Sequence, residues 1–404
     1  MNKKTLPQRP TVTIAELAAI RLKAHDVVTE TRAASSAPSS IKLAPTFNST
    51  QVAALCGIDR NKLEHRRRKG GLPDGTENNR KRIFTLRETQ SWVEEYRKCR
   101  LKRGCVQSSQ PTTAAVIAVG NFKGGVSKTT TSATLAQGLS LRGHTVLLID
   151  TDPQGSLTSL MGIAPETLND EDTVLSLTTG NVDTLDNAIQ PTYWSNIHII
   201  AAAPRISGSQ FYLPERVKAG QKFWTVISDG LSQDVRDMYD IIIIDTPPSL
   251  DYLTINAFYC ADMLIVPLPP SAMDFVSSTH FFDLFIELNK EFSKYGWKKE
   301  YNYVNILLSR VDSNDSASTL VREWISEAYG KHVLPVEIPS TAAAKNAAAD
   351  FGTIYDATPT QQISRTNRRA YEAYDRFVEI IEDQVVRIWQ SEGNIKNGDT
   401  HGNT

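Results

Sequence analysis

Residues 116–142 read VIAVGNFKGGVSKTTTSATLAQGLSLR: a short apolar run, a glycine-rich turn, then a stretch with helical spacing. A strand feeding a helix through such a turn aims backbone N–H groups and a helix N-terminus at one point, which makes an anion site. Gly124 and Gly125 remove the side chains that would keep a polyphosphate off the backbone. Lys128 is placed to set a mobile positive charge against the outer phosphates, and Thr129 to offer its hydroxyl to Mg²⁺. The common GxxxxGK[ST] pattern is not met, because Ser127 and Phe122 stand where its glycines belong. What fits is KGGxxK[ST], with a further lysine, Lys123, at its start.

Two more segments point at the same place. VLLIDTDPQGS sets Asp150 and Asp152 at the C-terminal end of an apolar strand, and DIIIIDTPPS does the same for Asp245. Ligands bind at that end of open α/β sheets. One such aspartate is as readily a helix cap; three beside a phosphate loop predict a site that holds Mg²⁺ and a nucleoside triphosphate. Thr246, Pro247, Pro248 and Ser249 form a stiff segment suited to registering the outermost phosphate. Continuous apolar runs at 116–119, 146–149, 197–202, 241–244, 263–267, 305–309 and 333–338 alternate with helical stretches. That pattern predicts a doubly wound α/β domain with a mostly parallel sheet covered on both faces.

Outside this domain the chain is uneven. Its 44 Lys+Arg nearly balance its 45 Asp+Glu. Residues 47–106, however, hold 15 basic and 7 acidic side chains, a net of +8, and the remainder carries −9. A basic segment on an acidic body predicts an anion-binding module. FNSTQVAALCGIDRNKLEHRRRKGGLP reads as helix, turn, helix: Asn48 or Ser49 caps the first, Gly57 turns the chain, Asp59 caps the second. The second helix carries Arg60, Lys62, Arg66, Arg67 and Arg68 on a face that fits a major groove, and NNRKRIFTL resembles a wing presenting Arg80, Lys81 and Arg82 to phosphates. Ahead of it, Leu17, Ile20, Ala24 and Val27 mark a narrow helical seam suited to a partner helix. No apolar run reaches the roughly 18–20 residues of a membrane span, and four cysteines without CxxC spacing suit a reducing cytoplasm. The polar stretch 391–404 is expected to be disordered.

With KGGVSKTTT (123–131), LLIDTDPQGS (147–156), IIIIDTPPSL (241–250), VPLPPSAMDF (266–275) and the stretch IPSTAAAKNAAADFGTIYDA, the chain resembles the deviant-Walker ATPases of the ParA/MinD group, in particular the longer plasmid-partition type with an N-terminal DNA-binding region. The resemblance covers about residues 114–389 and implies the following. Residues 1–46 form a dimerising helix and linker, 47–107 a winged helix-turn-helix, 108–390 the ATPase domain. Nucleotide is held by Lys123 to Thr130, that is Lys123, Gly124, Gly125, Val126, Ser127, Lys128, Thr129 and Thr130, with Pro339 near the base. Lys128 binds the phosphates; Lys123 reaches across a nucleotide-sandwich homodimer; Asp152 orients the attacking water. Mg²⁺ is served by Thr129, Asp150 and Asp245, and Asp245, Thr246, Pro247 and Pro248 act as a switch. A second, sequence-independent DNA surface is implied at Lys345, Arg365, Arg368 and Arg369. The implied activity is ATP-dependent dimerisation on nucleoid DNA in the cytoplasm, with hydrolysis stimulated by a ParB-like centromere-binding protein. The ADP form is expected to repress its own operon, and no membrane role is expected. The rivals are a nucleotide-sensing repressor and a metabolic enzyme on the same fold. A nitrogenase-reductase-like protein would need bridging cysteines that the motifs here lack.

Overall fold

The computed structural model describes residues 14–35, 42–78, 81–97, 113–218, 220–296, 299–312, 314–342, 352–357 and 364–398. The chain divides into two compact units, Met1–Leu43 and Ala44–Thr404. In the first, a helix spans Ile14–Ser35 and leaves Leu17, Ile20 and Val27 exposed.

The second unit begins with the basic module. Strand β1 (Thr46–Asn48) leads into a helix at Ser49–Leu55. Asn48 caps that helix, accepting from the Thr50 and Gln51 amides, while Gln51 returns a bond to the Asn48 amide. Gly57 takes a left-handed φ of 66°, and Asp59 caps the helix Arg60–Arg68 through the Lys62 amide at 2.8 Å. Strands β2 (Thr76–Asn78) and β3 (Lys81–Thr85) pair antiparallel, β3 also pairs with β1, and a third helix, Leu86–Arg97, follows. The module thus runs strand, helix, helix, hairpin, helix. Its small core is Val52, Leu63, Phe84, Trp92 and Val93, all buried.

The remaining strands are β4 (Ala115–Val119), β5 (Val146–Asp150), β6 (Gln190–Pro191), β7 (Ile197–Ile200), β8 (Ile241–Asp245), β9 (Met263–Leu268), β10 (Tyr303–Val311) and β11 (Val333–Pro339). They form an eight-stranded sheet in the order β11-β10-β9-β4-β8-β5-β7-β6. Every neighbouring pair is parallel except β6 with β7. All seven expected strands are present. β6 was not expected: two residues with a proline give no periodic signal, and proline is tolerated there because the strand lies at the edge.

Two helices matter most for the site. Lys128–Leu141 follows β4, and Arg365–Gly398 closes the chain against it. The contact is close because residue 138 is glycine; a Cβ there would lie 2.4 Å from Val378 Cγ2. At the far end Arg142 pairs with Asp375 at 2.9 Å and Glu382 at 3.0 Å, and His144 Nε2 lies 2.8 Å from the other Glu382 oxygen. Glu382 is 1% exposed, so the acidity of this helix is partly an internal clamp. The helix continues to Gly398, which corrects the expectation of disorder from residue 391; residues 399–404 lie outside the described residues.

The basic module docks on the same element. Gln90, 5% exposed, donates to Ser140 Oγ at 2.7 Å and to the Ser195 carbonyl at 2.8 Å, and accepts from Ser195 Oγ at 2.7 Å. One helix therefore carries the phosphate loop at its N-terminus and the basic module near its C-terminus.

Candidate nucleotide site

The loop 120–127 is held from below. Asn121, buried, donates to the Pro267 carbonyl at 2.9 Å and accepts from the Lys123 amide at 3.1 Å. Phe122 packs on Phe281 with ring centroids 4.6 Å apart. Gly120 has no room for a side chain, since a Cβ would sit 2.5 Å from the Phe258 ring. Gly125 and Ser127 both adopt φ of 75°. The second of these explains the sequence departure: this position requires a left-handed backbone, which glycine takes freely and serine takes at a cost of roughly 1–2 kcal/mol. Ser127 thus meets the geometry that the missing glycine would have served.

Lys128 is 7% exposed and its ammonium donates to the Lys123 carbonyl at 3.1 Å. Burial lowers its pKa, against the pull of Asp245 and Asp152. A buried cation at a helix N-terminus that bonds a carbonyl is set to exchange that carbonyl for phosphate oxygens.

β5 and β8 run in register so that Asp150 lies opposite Asp245. Both are fully buried, and burial followed by their mutual repulsion raises Asp150 to about 7. Asp245 is raised to about 6 by burial, opposed by the Ser132 and Thr129 hydroxyls and the Lys128 charge. Their hydrogen bonds separate their roles. Asp245 Oδ1 accepts from Ser132 Oγ at 2.7 Å, whereas Oδ2 is buried and accepts no bond among the described residues. Asp150 commits Oδ2 to the Thr158 amide and hydroxyl at 2.9 and 2.7 Å, and Oδ1 to the Asp152 amide at 3.1 Å. Both oxygens of Asp150 are thus engaged, with the amides of Asp152 and Thr158 and the Thr158 hydroxyl. Among the described residues no group of three His, Cys, Asp or Glu is arranged to hold a metal. Mg²⁺ suits such a site, because it is commonly held by one or two protein oxygens plus phosphates and water. The residues that fit it are Thr129 and Asp245, whose orphaned oxygen calls for a cation or its water.

Asp152 is half-buried and accepts from the Gln154 amide at 2.9 Å. Its charge acts on Lys128, Asp245 and Asp251. Thr246 is buried and tied to the Val119 carbonyl through its hydroxyl at 3.0 Å and its amide at 3.3 Å. Pro247 is buried as well, whereas Pro248 is exposed, with its Cβ 3.9 Å from where a side chain on Gly124 would begin. Thr130 is half-buried on the first turn of the helix, and Pro339 is buried opposite Val311 at the ends of β10 and β11.

Two residues of this site were not singled out from the sequence. Arg310 has φ of 53°, and its guanidinium donates to the Gly125 carbonyl at 2.6 Å. Its neighbour Ser309 donates to the Val126 carbonyl at 3.0 Å. The end of β10 thereby fixes two successive peptide groups of the loop. No sequence window predicts this, since the partners are 185 and 183 positions apart.

The expected DNA surfaces are split by the structure. Arg60, Lys62, Arg68 and Lys81 are exposed, and Arg66 is half-buried with a bond to the Gly70 carbonyl at 2.7 Å. Arg67 pairs with Glu64 at 2.9 Å and with Asp74, and Arg82 pairs with Asp74 at 2.8 Å. These pairs tie the second helix to the hairpin. Arg365, Arg368 and Arg369 are exposed at the start of the last helix, with Arg368 2.8 Å from Glu372. Arg80 and Lys345 lie outside the described residues. Among the described residues no helix is long and apolar enough to cross a membrane.

A family model described as an AAA domain matches residues 114–294. The chain is 31% identical over 231 residues to the chromosome partitioning protein ParA of Myxococcus xanthus, covering 56% of this chain and 76% of that protein. It is 29% identical over 362 residues to protein SopA of Escherichia coli K12, covering 87% and 91%. A solved "Partition Protein" superposes with a TM-score of 0.65 over 92% of this chain and 98% of its own, at 20% identity, which speaks for the fold alone. A cobyrinic acid a,c-diamide synthase from Mycobacterium smegmatis, solved with an ATP analog and magnesium, gives a TM-score of 0.53 at 25% identity over 69% and 97%. The loop, the facing aspartates and these relatives agree: the chain belongs to the ParA family of partition ATPases.

Proposed function

We propose that this chain is a Mg²⁺-dependent ATPase that segregates a replicon by alternating between a DNA-bound ATP dimer and a released ADP form. The observation that supports it most is a buried lysine at a helix N-terminus, under the charge of a buried carboxylate that has one oxygen unpartnered among the described residues. Lys128 and the amides of the loop bind the β- and γ-phosphates, and Thr129 and Asp245 hold Mg²⁺. When bound, the metal neutralises phosphate charge and orients the oxygens for in-line attack. Asp152, positioned through its amide by Asp150, orients the attacking water and takes its proton. Lys123 completes the site of a second protomer, so nucleotide binding and dimerisation become one equilibrium.

DNA is engaged twice in this reading. Arg60, Lys62, Arg66 and Arg68, with Lys81 of the hairpin, read an operator and repress the protein's own operon in the ADP form. Arg365, Arg368 and Arg369 hold nucleoid DNA without sequence preference in the ATP form, a salt-sensitive contact. The docking of the basic module on the far end of the phosphate-loop helix supports a link between nucleotide state and operator binding. A ParB-like protein at a centromere stimulates hydrolysis and releases the DNA.

The deciding experiment measures phosphate release together with binding to operator and random DNA, each with ATP, ADP or no nucleotide. Lys128→Ala is expected to abolish ATP-dependent binding to random DNA; unchanged binding in that variant refutes the nucleotide switch. Operator binding with no phosphate release under any condition would instead mark a nucleotide-sensing repressor.

A further inference from the structure

We propose that Asp274 is a cis latch on Lys123, which must be released before two protomers can close on nucleotide. The lysine's backbone is pinned to the loop, its amide on Asn121 and its carbonyl under Lys128. Its side chain is nevertheless not idle in water: the ammonium lies 2.6 Å from Asp274 Oδ1 of the same chain. Asp274 is the third residue of the helix Ala272–Ser293, capped by Ser271. The cap positions the carboxylate, because Ser271 Oγ accepts from the Asp274 amide at 3.2 Å and donates to Asp274 Oδ2. One oxygen thus belongs to the cap and the other to the lysine.

The two halves of the pair are unequally bound to it. Asp274, whose side chain is 13% exposed, keeps Ser271 and the favourable N-terminal end of its helix when the lysine leaves. Lys123, 35% exposed, loses its only charged partner among the described residues and needs a replacement anion. On the reading that Lys123 acts across the dimer, that anion is the partner protomer's nucleotide. Empty protomers then hold the lysine back, and only a loaded partner draws it out. Met273 and Val276 flank the latch on the exposed side of the same helix turn, at 75% and 52% exposure, so closure of the second protomer over this face displaces the pair directly.

The test is the dimer dissociation constant of the full chain with Mg²⁺ and a non-hydrolysable ATP analog, by sedimentation velocity, with nucleotide affinity of the protomer measured alongside. Two latches open per dimer, each a partly exposed ion pair worth about a factor of three, so Asp274→Asn is expected to tighten the dimer about tenfold. Protomer affinity for the analog is expected to stay unchanged. Ser271→Ala removes the shared cap bond but leaves the ion pair, and is expected to leave the dimer constant as in the parent chain. Lys123→Gln is expected to abolish the dimer with or without Asp274→Asn. If Asp274→Asn dimerises no more tightly than the parent while Lys123→Gln still abolishes dimers, the latch is refuted and the trans role of Lys123 stands. If Lys123→Gln dimerises normally, the trans role falls and the latch with it. Equal tightening by Ser271→Ala and Asp274→Asn would assign the effect to the helix cap and likewise refute the latch.

Discussion

Replacing Arg310 separates the site's geometry from the fold's stability. The residue holds a left-handed backbone at φ 53° and uses its guanidinium to fix the Gly125 carbonyl at 2.6 Å. A hydrogen bond to a charged group contributes about 1.5–3 kcal/mol, and the exposed position of Arg310 places it at the lower end. If that bond serves to orient loop amides towards phosphate, Arg310→Ala weakens nucleotide binding by about 1.5 kcal/mol, about tenfold in the dissociation constant. Alanine keeps the backbone strain, whereas glycine relieves roughly 1 kcal/mol of it. Arg310→Gly is therefore expected to bind nucleotide as poorly as Arg310→Ala yet to unfold at higher denaturant. Arg310→Lys keeps the charge without the planar fork and should recover only part of the affinity. The assay is calorimetric titration with ADP and ATP beside urea unfolding of each variant. Parent-like nucleotide affinity in Arg310→Ala refutes the positioning role; affinity that simply tracks stability across the variants would show that the residue acts on the fold alone.

Other perturbations test the remaining parts. Glu382→Ala leaves Arg142, 10% exposed on its side chain, and His144 without their buried carboxylate, so it is expected to cost about 3–5 kcal/mol in urea unfolding. Asp375→Ala, at a 43% exposed partner, should cost about 1 kcal/mol or less, and equal costs would refute the clamp. Asp150 and Asp245 hold protons more tightly folded than unfolded, being raised to about 7 and about 6. Their contribution to nucleotide-free stability is thus complete below the unfolded carboxylate value of about 3.9 and is lost as pH rises through 6 and 7. Asp245→Asn should flatten that slope and stabilise the nucleotide-free chain at pH 8; an unchanged slope of unfolding midpoint against pH would refute it. Asp152→Ala is expected to keep nucleotide affinity while slowing phosphate release at least about a hundredfold, and full turnover would remove its proposed role.

Features that depend on neighbours along the chain were legible before folding was considered. KGGVSK between an apolar run and a helical stretch announces a phosphate loop because the turn, the helix N-terminus and the lysine lie within a dozen residues. Continuous Ile, Val and Leu runs announced seven strands, and Asn48, Gly57 and Asp59 set helix and turn boundaries through short-range hydrogen bonds and φ preferences. Which charged groups meet depends instead on the fold as a whole. Arg67 and Arg82 look alike with Arg68 in sequence, yet the first two are held by Asp74 because the hairpin folds back on the helix. Asp150 and Asp245 look equivalent at their strand ends, but Thr158 occupies the oxygen that Asp245 leaves open. Arg310 on Gly125 and Asp274 on Lys123 join positions 185 and 151 residues apart in sequence. Strand order brings them together, and strand order follows from packing all the apolar surfaces at once rather than from any local pattern.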